Sequence, residues 1–174
     1  SNNQAYAEAI QRLFTTSFLR IYTTTDVVGV ELGGTLKNIV ALAAGISDGV
    51  GYGDNARAAL ITRGFREMLR LAKAEGAQEQ TLIGLSGIGD LILTCTSRKS
   101  RNYSAGIAIG RADSIDAKAA TIEGLTNAQL VLELSERNNL DLFLFAQIAR
   151  VVSGECTPHD ALAEFMSRPL RAED

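Results

Sequence analysis

The chain has 174 residues, of which 46% are hydrophobic, so it is long enough to bury one real core. Seventeen lysines and arginines against 20 aspartates and glutamates give a net charge of -3 without a long run of either sign, which argues against a nucleic acid or a membrane surface as the main partner. Cys95 and Cys156 lie far apart without a CxxC motif, so neither a disulfide framework nor a metal site is predicted, and a reducing cytoplasm fits best.

The first 25 residues predict one helix and one strand. Tyr6, Ile10 and Phe14 have helical spacing over residues 4–14, and the β-rich run LRIYTTT follows at 19–25. A strand needs a partner for its backbone groups, and the sequence predicts no second strand. The predicted strand therefore has no sheet within this chain.

The longest predicted helix follows Asp26, which can cap it, and contains VVGVELGGTLKNIVALAAGISDGV. The glycines of GVGYGD end this helix, Asp54 can cap the next one at 55–75, and Gly76 stands just after its end, where glycine is common. No apolar run is expected to be long enough to span a bilayer, and no signal peptide is predicted.

Shorter helices are predicted in the rest of the chain, near 79–84, 88–96, 100–111, 126–137 and 141–153. A last helix opens at Thr157-Pro158, which have N-cap and first-turn chemistry, and ends before Pro169. The predicted fold is therefore all-α.

One face of the longest helix is small except for a single ammonium group. Gly29, Gly33 and Lys37 follow one another at i+4, and Ala41 and Ala44 continue the stripe. Spacing alone favours a tight helix crossing, with the lysine reaching water. The alternative is a partly desolvated lysine that is suited to proton transfer.

The run GLSGIGDLILTCTSRKSRN at 84–102 combines glycines with cations. Its GxxGxG is the reverse of the dinucleotide fingerprint, and no βαβ unit surrounds it. Asp90 is interpreted either as a first-turn helix acid or as a catalytic carboxylate. TSRKSRN is typical of an anion site at a helix start, although a solvated turn would look alike. Arg101 is preferred over Lys99 as the anion ligand, because its guanidinium binds phosphate in a bidentate manner.

Two further residues are weak candidates for chemistry. His159 falls in the first turn of the last helix and is most simply a surface residue. Cys95 lies among apolar residues and is interpreted as a buried small hydrophobe rather than a nucleophile. No Ser-His-Asp set can be assembled.

The long helix and the glycine-cation run together closely resemble the C-terminal domain of bacterial-type NAD(P)-dependent glycerol-3-phosphate dehydrogenases. The matching runs are GVELGGTLKNIVALAAGISDGVGYGDNARAALITRGFREM, GLSGIGDLILTCTSRKSRN and AEFMSRPL, and the resemblance covers nearly the whole chain. It implies a multi-helical domain of the 6-phosphogluconate-dehydrogenase-like type.

The resemblance also implies roles for individual residues. Lys37 would act as the acid/base at the substrate C2 oxygen, with Asp90 and Thr94 around it and Asn38 beside it in the active site. Substrate binding would fall to Lys37, Asn38, Asp90, Ser100, Arg101 and Asn102. Arg101, Thr121 and Glu123 would contact NAD or NADP, whose main site would lie in an N-terminal dinucleotide-binding domain.

The expected domain organisation follows from this resemblance. Residues 1–25 would be the remnant of the dinucleotide-binding domain, and residues 26–174 the helical substrate-binding domain. The expected function is the substrate half of a cytoplasmic enzyme that interconverts dihydroxyacetone phosphate and sn-glycerol 3-phosphate, inactive by itself, with homodimer formation left open. The alternatives are a helical domain of another two-domain hydroxy-acid dehydrogenase, or a helical dimerisation module.

Overall fold

The computed structural model describes residues 1–114 and 122–167. Within these ranges the chain is helical, and the elements are α1 (Gln4–Phe14), α2 (Val27–Val50), α3 (Asp54–Ala74), α4 (Glu79–Ile83), a π-helical turn (Leu85–Gly89), α5 (Asp90–Thr96), α6 (Arg101–Gly110), α7 (Glu123–Arg137), α8 (Phe143–Ser153) and α9 (Pro158–Met166). The predicted all-α fold is confirmed. The helix boundaries differ from the predicted ones by up to three residues: α5 begins at Asp90 rather than 88 because a π-helical turn precedes it, and α7 begins at Glu123 rather than 126.

Helix α2 is the centre of the fold and contacts the π-helical turn and each helix from α3 to α9. Its start is fixed by Asp26, as predicted: the carboxylate accepts the N–H of Gly29 at 2.9 Å and that of Gln78 at 2.9 Å. Leu36 and Ile39 are fully buried. Helix α2 thus packs against most of the other helices, although its first turns are partly exposed.

By length and composition alone, α2 is apolar enough to cross a membrane, which corrects the expectation that no run reaches that length. More than half of its most apolar window, 56%, is buried against the rest of the protein. A core helix surrounded by other helices has to be apolar on most faces and therefore passes the same test.

Glycine pairs allow α2 and α6 to cross closely. A Cβ on Gly45 would lie 2.1 Å from the carbonyl oxygen of Tyr103, and one on Gly106 would lie 2.2 Å from that of Leu42. Gly49 and Gly110 repeat this arrangement one turn further on. The signal lay in the sequence as GISDG and GIAIG, two GxxxG runs that the prediction did not use.

The predicted strand at 19–25 is wrong: these residues are irregular in the structure. Instead of pairing in a sheet, the segment returns along α1, where the side-chain amide of Gln11 donates to the carbonyl of Ile21 at 2.7 Å. The amino group of Ser1 donates to the carbonyl of Thr24 at 3.1 Å. A β-rich composition cannot make a strand when no second strand satisfies its backbone.

Of the two caps predicted for helix α3, the N-terminal one is wrong and the C-terminal one is confirmed. Gly53, not Asp54, occupies the N-cap, and Asp54 lies in the first turn, where it accepts from the guanidinium of Arg57 at 2.6 Å. Gly76 has a φ of 86°, a left-handed conformation that favours glycine, and it follows the C-cap Glu75 as predicted.

Glu67 of α3 caps a different helix. Its buried carboxylate accepts the N–H of Leu144 at 2.9 Å and that of Phe145 at 3.2 Å, at the start of α8. Helix α8 has no side-chain cap of its own. Burial raises the pKa of Glu67 above its ordinary value, although the two N–H groups act in the opposite direction.

Candidate active site

Lys37 and Asp90 meet where α2 contacts the start of α5. The Lys37 ammonium donates to Asp90 Oδ2, and the side chains are 18% and 39% exposed. Thr94, one turn along α5, donates its hydroxyl to the Asp90 carbonyl at 2.6 Å and lies 3.3 Å from Asp90 Oδ1. Three of the predicted site residues are therefore brought together, with the ammonium half-buried.

Small residues position this pair. Gly33 lies one turn before Lys37, and a Cβ there would come within 2.5 Å of the carbonyl oxygen of Ser86 in the π-helical turn. Gly87 of the same turn lies so close to α4 that a Cβ would be 1.8 Å from the Leu82 carbonyl oxygen. The small residues on α2 thus allow the π-helical turn to pack closely against this helix, and this packing places Asp90 next to Lys37.

A second group of predicted residues forms a ring of hydrogen bonds beside this pair. Asn38 Nδ2 donates to Glu123 Oε2 at 2.7 Å, and Asn102 Nδ2 donates to Asn38 Oδ1 at 2.9 Å. The N–H of Gly124 donates to Asn102 Oδ1 at 2.7 Å and closes the ring onto α7. Asn38 and Asn102 are buried. The ring joins α2, α6 and α7.

The N-terminus of α6 carries the predicted anion-binding residues. The Ser100 hydroxyl caps the helix by accepting the N–H of Tyr103 at 3.3 Å. Arg101 follows as the first helical residue and is exposed, and its side chain has no hydrogen bond or ion pair within residues 1–114 and 122–167. Its guanidinium is therefore available to an anion, next to N–H groups of a helix start that have no partner inside the helix.

The remaining candidates lie outside this site or outside the described residues. Thr121 lies outside them. Cys95 is fully buried, and burial raises its pKa to about 12, so it is not a nucleophile. His159 is exposed. Among the residues that the structure describes, no three His, Cys, Asp or Glu side chains are grouped so that they could hold a metal ion.

Sequence reasoning missed Gly124 and the π-helical turn. Gly124 carries no functional group, and its contacts come from residues 22 and 86 positions away in the sequence, so no local signal identifies it. The π-helical turn does have a local signal, because Gly87 and Gly89 belong to the GxxGxG run. Chemically, the assembled groups offer a half-buried ammonium held by a carboxylate, together with an exposed guanidinium at a helix start. Such a set can stabilise an oxyanion and bind an anionic group.

Comparisons with known proteins agree on one family. A family model described as NAD-dependent glycerol-3-phosphate dehydrogenase C-terminus matches residues 26–163. A glycerol-3-phosphate dehydrogenase (NAD(P)+) of Paracoccus denitrificans is 50% identical over 167 residues, which are 96% of this chain and 53% of the relative. The corresponding protein of Cereibacter sphaeroides is 48% identical over 173 residues, 99% of this chain and 56% of the relative.

A solved structure shares the fold. The crystal structure of glycerol-3-phosphate dehydrogenase from Coxiella burnetii has a TM-score of 0.88 and 41% identity, and the match covers 96% of this chain and 53% of that chain. The chain therefore spans about half the length of the relatives it matches.

Proposed function

We propose a function from the premise that this chain belongs to the NAD-dependent glycerol-3-phosphate dehydrogenase C-terminus family: it forms the substrate-binding half of an enzyme that interconverts dihydroxyacetone phosphate and sn-glycerol 3-phosphate. The observation that carries the proposal is the ammonium of Lys37 held by Asp90 at the half-buried contact of α2 with α5. By itself, this chain is expected to be inactive.

Lys37 is the proposed acid/base. When the substrate ketone is reduced, negative charge builds on its C2 oxygen, and a neighbouring ammonium stabilises that charge and then delivers a proton. Asp90 holds the ammonium in place and Thr94 steadies the carboxylate, which is supported by the hydrogen bonds between them. In the reverse direction, the same lysine accepts the proton from the alcohol.

Arg101 and its neighbours are the proposed phosphate ligands. Ser100, Arg101 and Asn102 lie at the start of α6, where a helix terminus and a free guanidinium both favour an anion. Holding the phosphate orients the reacting carbon, which converts binding into rate. Asn38, next to Lys37, belongs to the same proposed substrate site.

NAD or NADP is the proposed cofactor, and its nicotinamide would supply or take the hydride at C2. The residues of this chain fit a secondary contact with it: Arg101 and Glu123 are both exposed at helix starts, and a guanidinium suits the cofactor's phosphates. Thr121 is the third proposed contact. The main site would lie in a preceding dinucleotide-binding domain, with residues 1–25 as its end and 26–174 as the substrate-binding domain.

The setting of the whole enzyme belongs to the same proposal. We place it in the cytoplasm, as a homodimer that links triose phosphate to the synthesis of phospholipid head groups. The rival reading of the glycine stripe as a dimerisation face has less support, because the buried Gly33 is already in contact with Ser86 of the same chain.

The test is a calorimetric titration of this chain with sn-glycerol 3-phosphate, with glycerol as the ligand that lacks a phosphate. We expect the phosphate ester alone to bind, and Arg101→Gln to weaken it about tenfold or more, since a charge-assisted bond to phosphate is lost. Lys99→Gln is the matched control, because Lys99 is an exposed cation two residues away and should bind as the unchanged chain does. Equal losses in both variants would refute a specific phosphate site.

A further inference from the structure

We infer that Gly124 is a positioning residue of the proposed active site: it closes the hydrogen-bond ring that sets the spacing between Lys37 and Arg101. The inference rests on the proposed function and adds a residue to it. Gly124 touches no reacting group. It acts through Asn102 and Asn38, each of which is the chain neighbour of one of the two cations.

The hydrogen bonds of the ring can run in only one direction, so the orientation of each side-chain amide is fixed. Asn38 Nδ2 donates both to Glu123 Oε2 at 2.7 Å and to the carbonyl of Gly34 at 3.0 Å. Its Oδ1 therefore has to face the donor Nδ2 of Asn102, at 2.9 Å. Asn102 Oδ1 then faces α7, where the N–H of Gly124 meets it at 2.7 Å. Neither amide can turn over without placing two like groups against each other.

Glycine is required at the position that closes the ring. A Cβ on residue 124 would lie 2.7 Å from the carbonyl oxygen of Asn38 and 2.9 Å from Asn102 Oδ1. The first of these atoms is backbone in the middle of α2, so it cannot give way without moving the helix. Helix α7 also has no side-chain cap of its own, and Asn102 satisfies its Gly124 N–H instead.

The ring matters for the substrate because Asn38 follows Lys37 on α2 and Asn102 follows Arg101 on α6. A substrate with a carbonyl at one end and a phosphate at the other needs these two cations at one fixed spacing. Because their side chains are buried and engaged in the ring, Asn38 and Asn102 also fix the positions of Lys37 and Arg101, in addition to their place in the proposed substrate site.

The experiment compares Gly124→Ala with the unchanged chain in two measurements. Nuclear magnetic resonance of the side-chain amides reports the ring directly, and calorimetry gives the affinity for sn-glycerol 3-phosphate. We expect Gly124→Ala to shift the Nδ2 signals of Asn38 and Asn102 and to weaken binding about tenfold or more. Glu123→Ala opens the ring at an exposed side chain without crowding, and should weaken binding even if Gly124→Ala fails to fold.

Gly64→Ala is the matched control for a general loss of stability. Its added methyl would lie 2.6 Å from a Val40 side-chain carbon in the contact of α2 with α3, away from the ring. It should leave the amide signals and the affinity unchanged. Full affinity in Gly124→Ala and Glu123→Ala, or an equal loss in Gly64→Ala, would overturn the inference. If the unchanged chain keeps its amide signals but binds no ligand, the proposed function fails and the positioning role fails with it.

Discussion

At the level of single side chains, the proposed chemistry depends on a lysine that is neither fully buried nor free. Lys37 is 18% exposed and reaches a carboxylate that is itself 39% exposed. In such a setting an ion pair adds little to stability, because water screens it. The pair is therefore better explained by the need to aim the ammonium than by a need to hold the fold together.

This explanation predicts a separation of activity from stability. In an active enzyme that contains this chain, Lys37→Met should lower kcat by about a hundred- to ten-thousand-fold, the usual contribution of a general acid or base. The thermal unfolding temperature of the chain should change little. Lys99→Met, at an exposed cation, serves as the control. Unchanged kcat in Lys37→Met would remove the role assigned to it.

At the level of helices, the sequence predicted the ends of helices more accurately than the contacts between them, because the ends depend on local signals. The Asp26 cap and the left-handed Gly76 were predictable, because each depends on residues within a few positions. The cap of α8 was not, since Glu67 lies 77 and 78 residues before the two N–H groups that it accepts. The contacts of the hydrogen-bond ring were not predictable either, because they span up to 85 positions. Asn38, Asn102 and Glu123 were predicted as site residues through family resemblance, whereas Gly124 was missed.

Glu67 predicts an unusual dependence of stability on pH. Burial raises its pKa in the folded state above the ordinary 4.5, so the folded chain binds a proton here more readily than the unfolded chain. Its contribution to stability is therefore fully present below 4.5 and is lost as the pH rises through the raised value. The unfolding free energy of the unchanged chain minus that of Glu67→Gln, measured in urea titrations, should therefore fall between pH 4.5 and pH 8.

Glu75 gives the matched comparison of opposite sign. The guanidinium of Arg137 lowers the pKa of Glu75, so its contribution is present above its ordinary value of 4.5 and is lost as the pH falls through the lowered one. The unfolding free energy of the unchanged chain minus that of Glu75→Gln should therefore not fall over the same rise in pH. If both variants follow the same trend, the pH dependence assigned to the cap of α8 is wrong.

At the level of the whole molecule, the first 25 residues are set apart from the helices that follow. Ala7 is the residue of α1 that is buried, while Phe18 is 99% exposed and Tyr22 is 65% exposed. Helix α2, in contrast, carries its own cap, and eight of its apolar residues belong to the buried core. The helical core should therefore not depend on the segment that precedes it.

A chain that starts at Thr25 is expected to keep its helical content and to unfold cooperatively, with only a small drop in unfolding temperature. Circular dichroism and the mass in solution, compared with the full chain, would check this. Gly106→Ala gives the scale of a true core defect, since its methyl would lie 2.2 Å from the Leu42 carbonyl oxygen. A shortened chain that collapses as badly would show that the segment is integral to the domain.

The central place of α2 has a consequence for how the chain is made. The ribosome completes α2 at Val50, but the helices that cover it continue as far as Ser153 and beyond. At about 5–20 residues per second, adding the next hundred residues takes roughly 5 to 20 seconds. During part of that interval this apolar helix has been made before its later partners, and its exposed apolar surface favours binding by chaperones until they arrive.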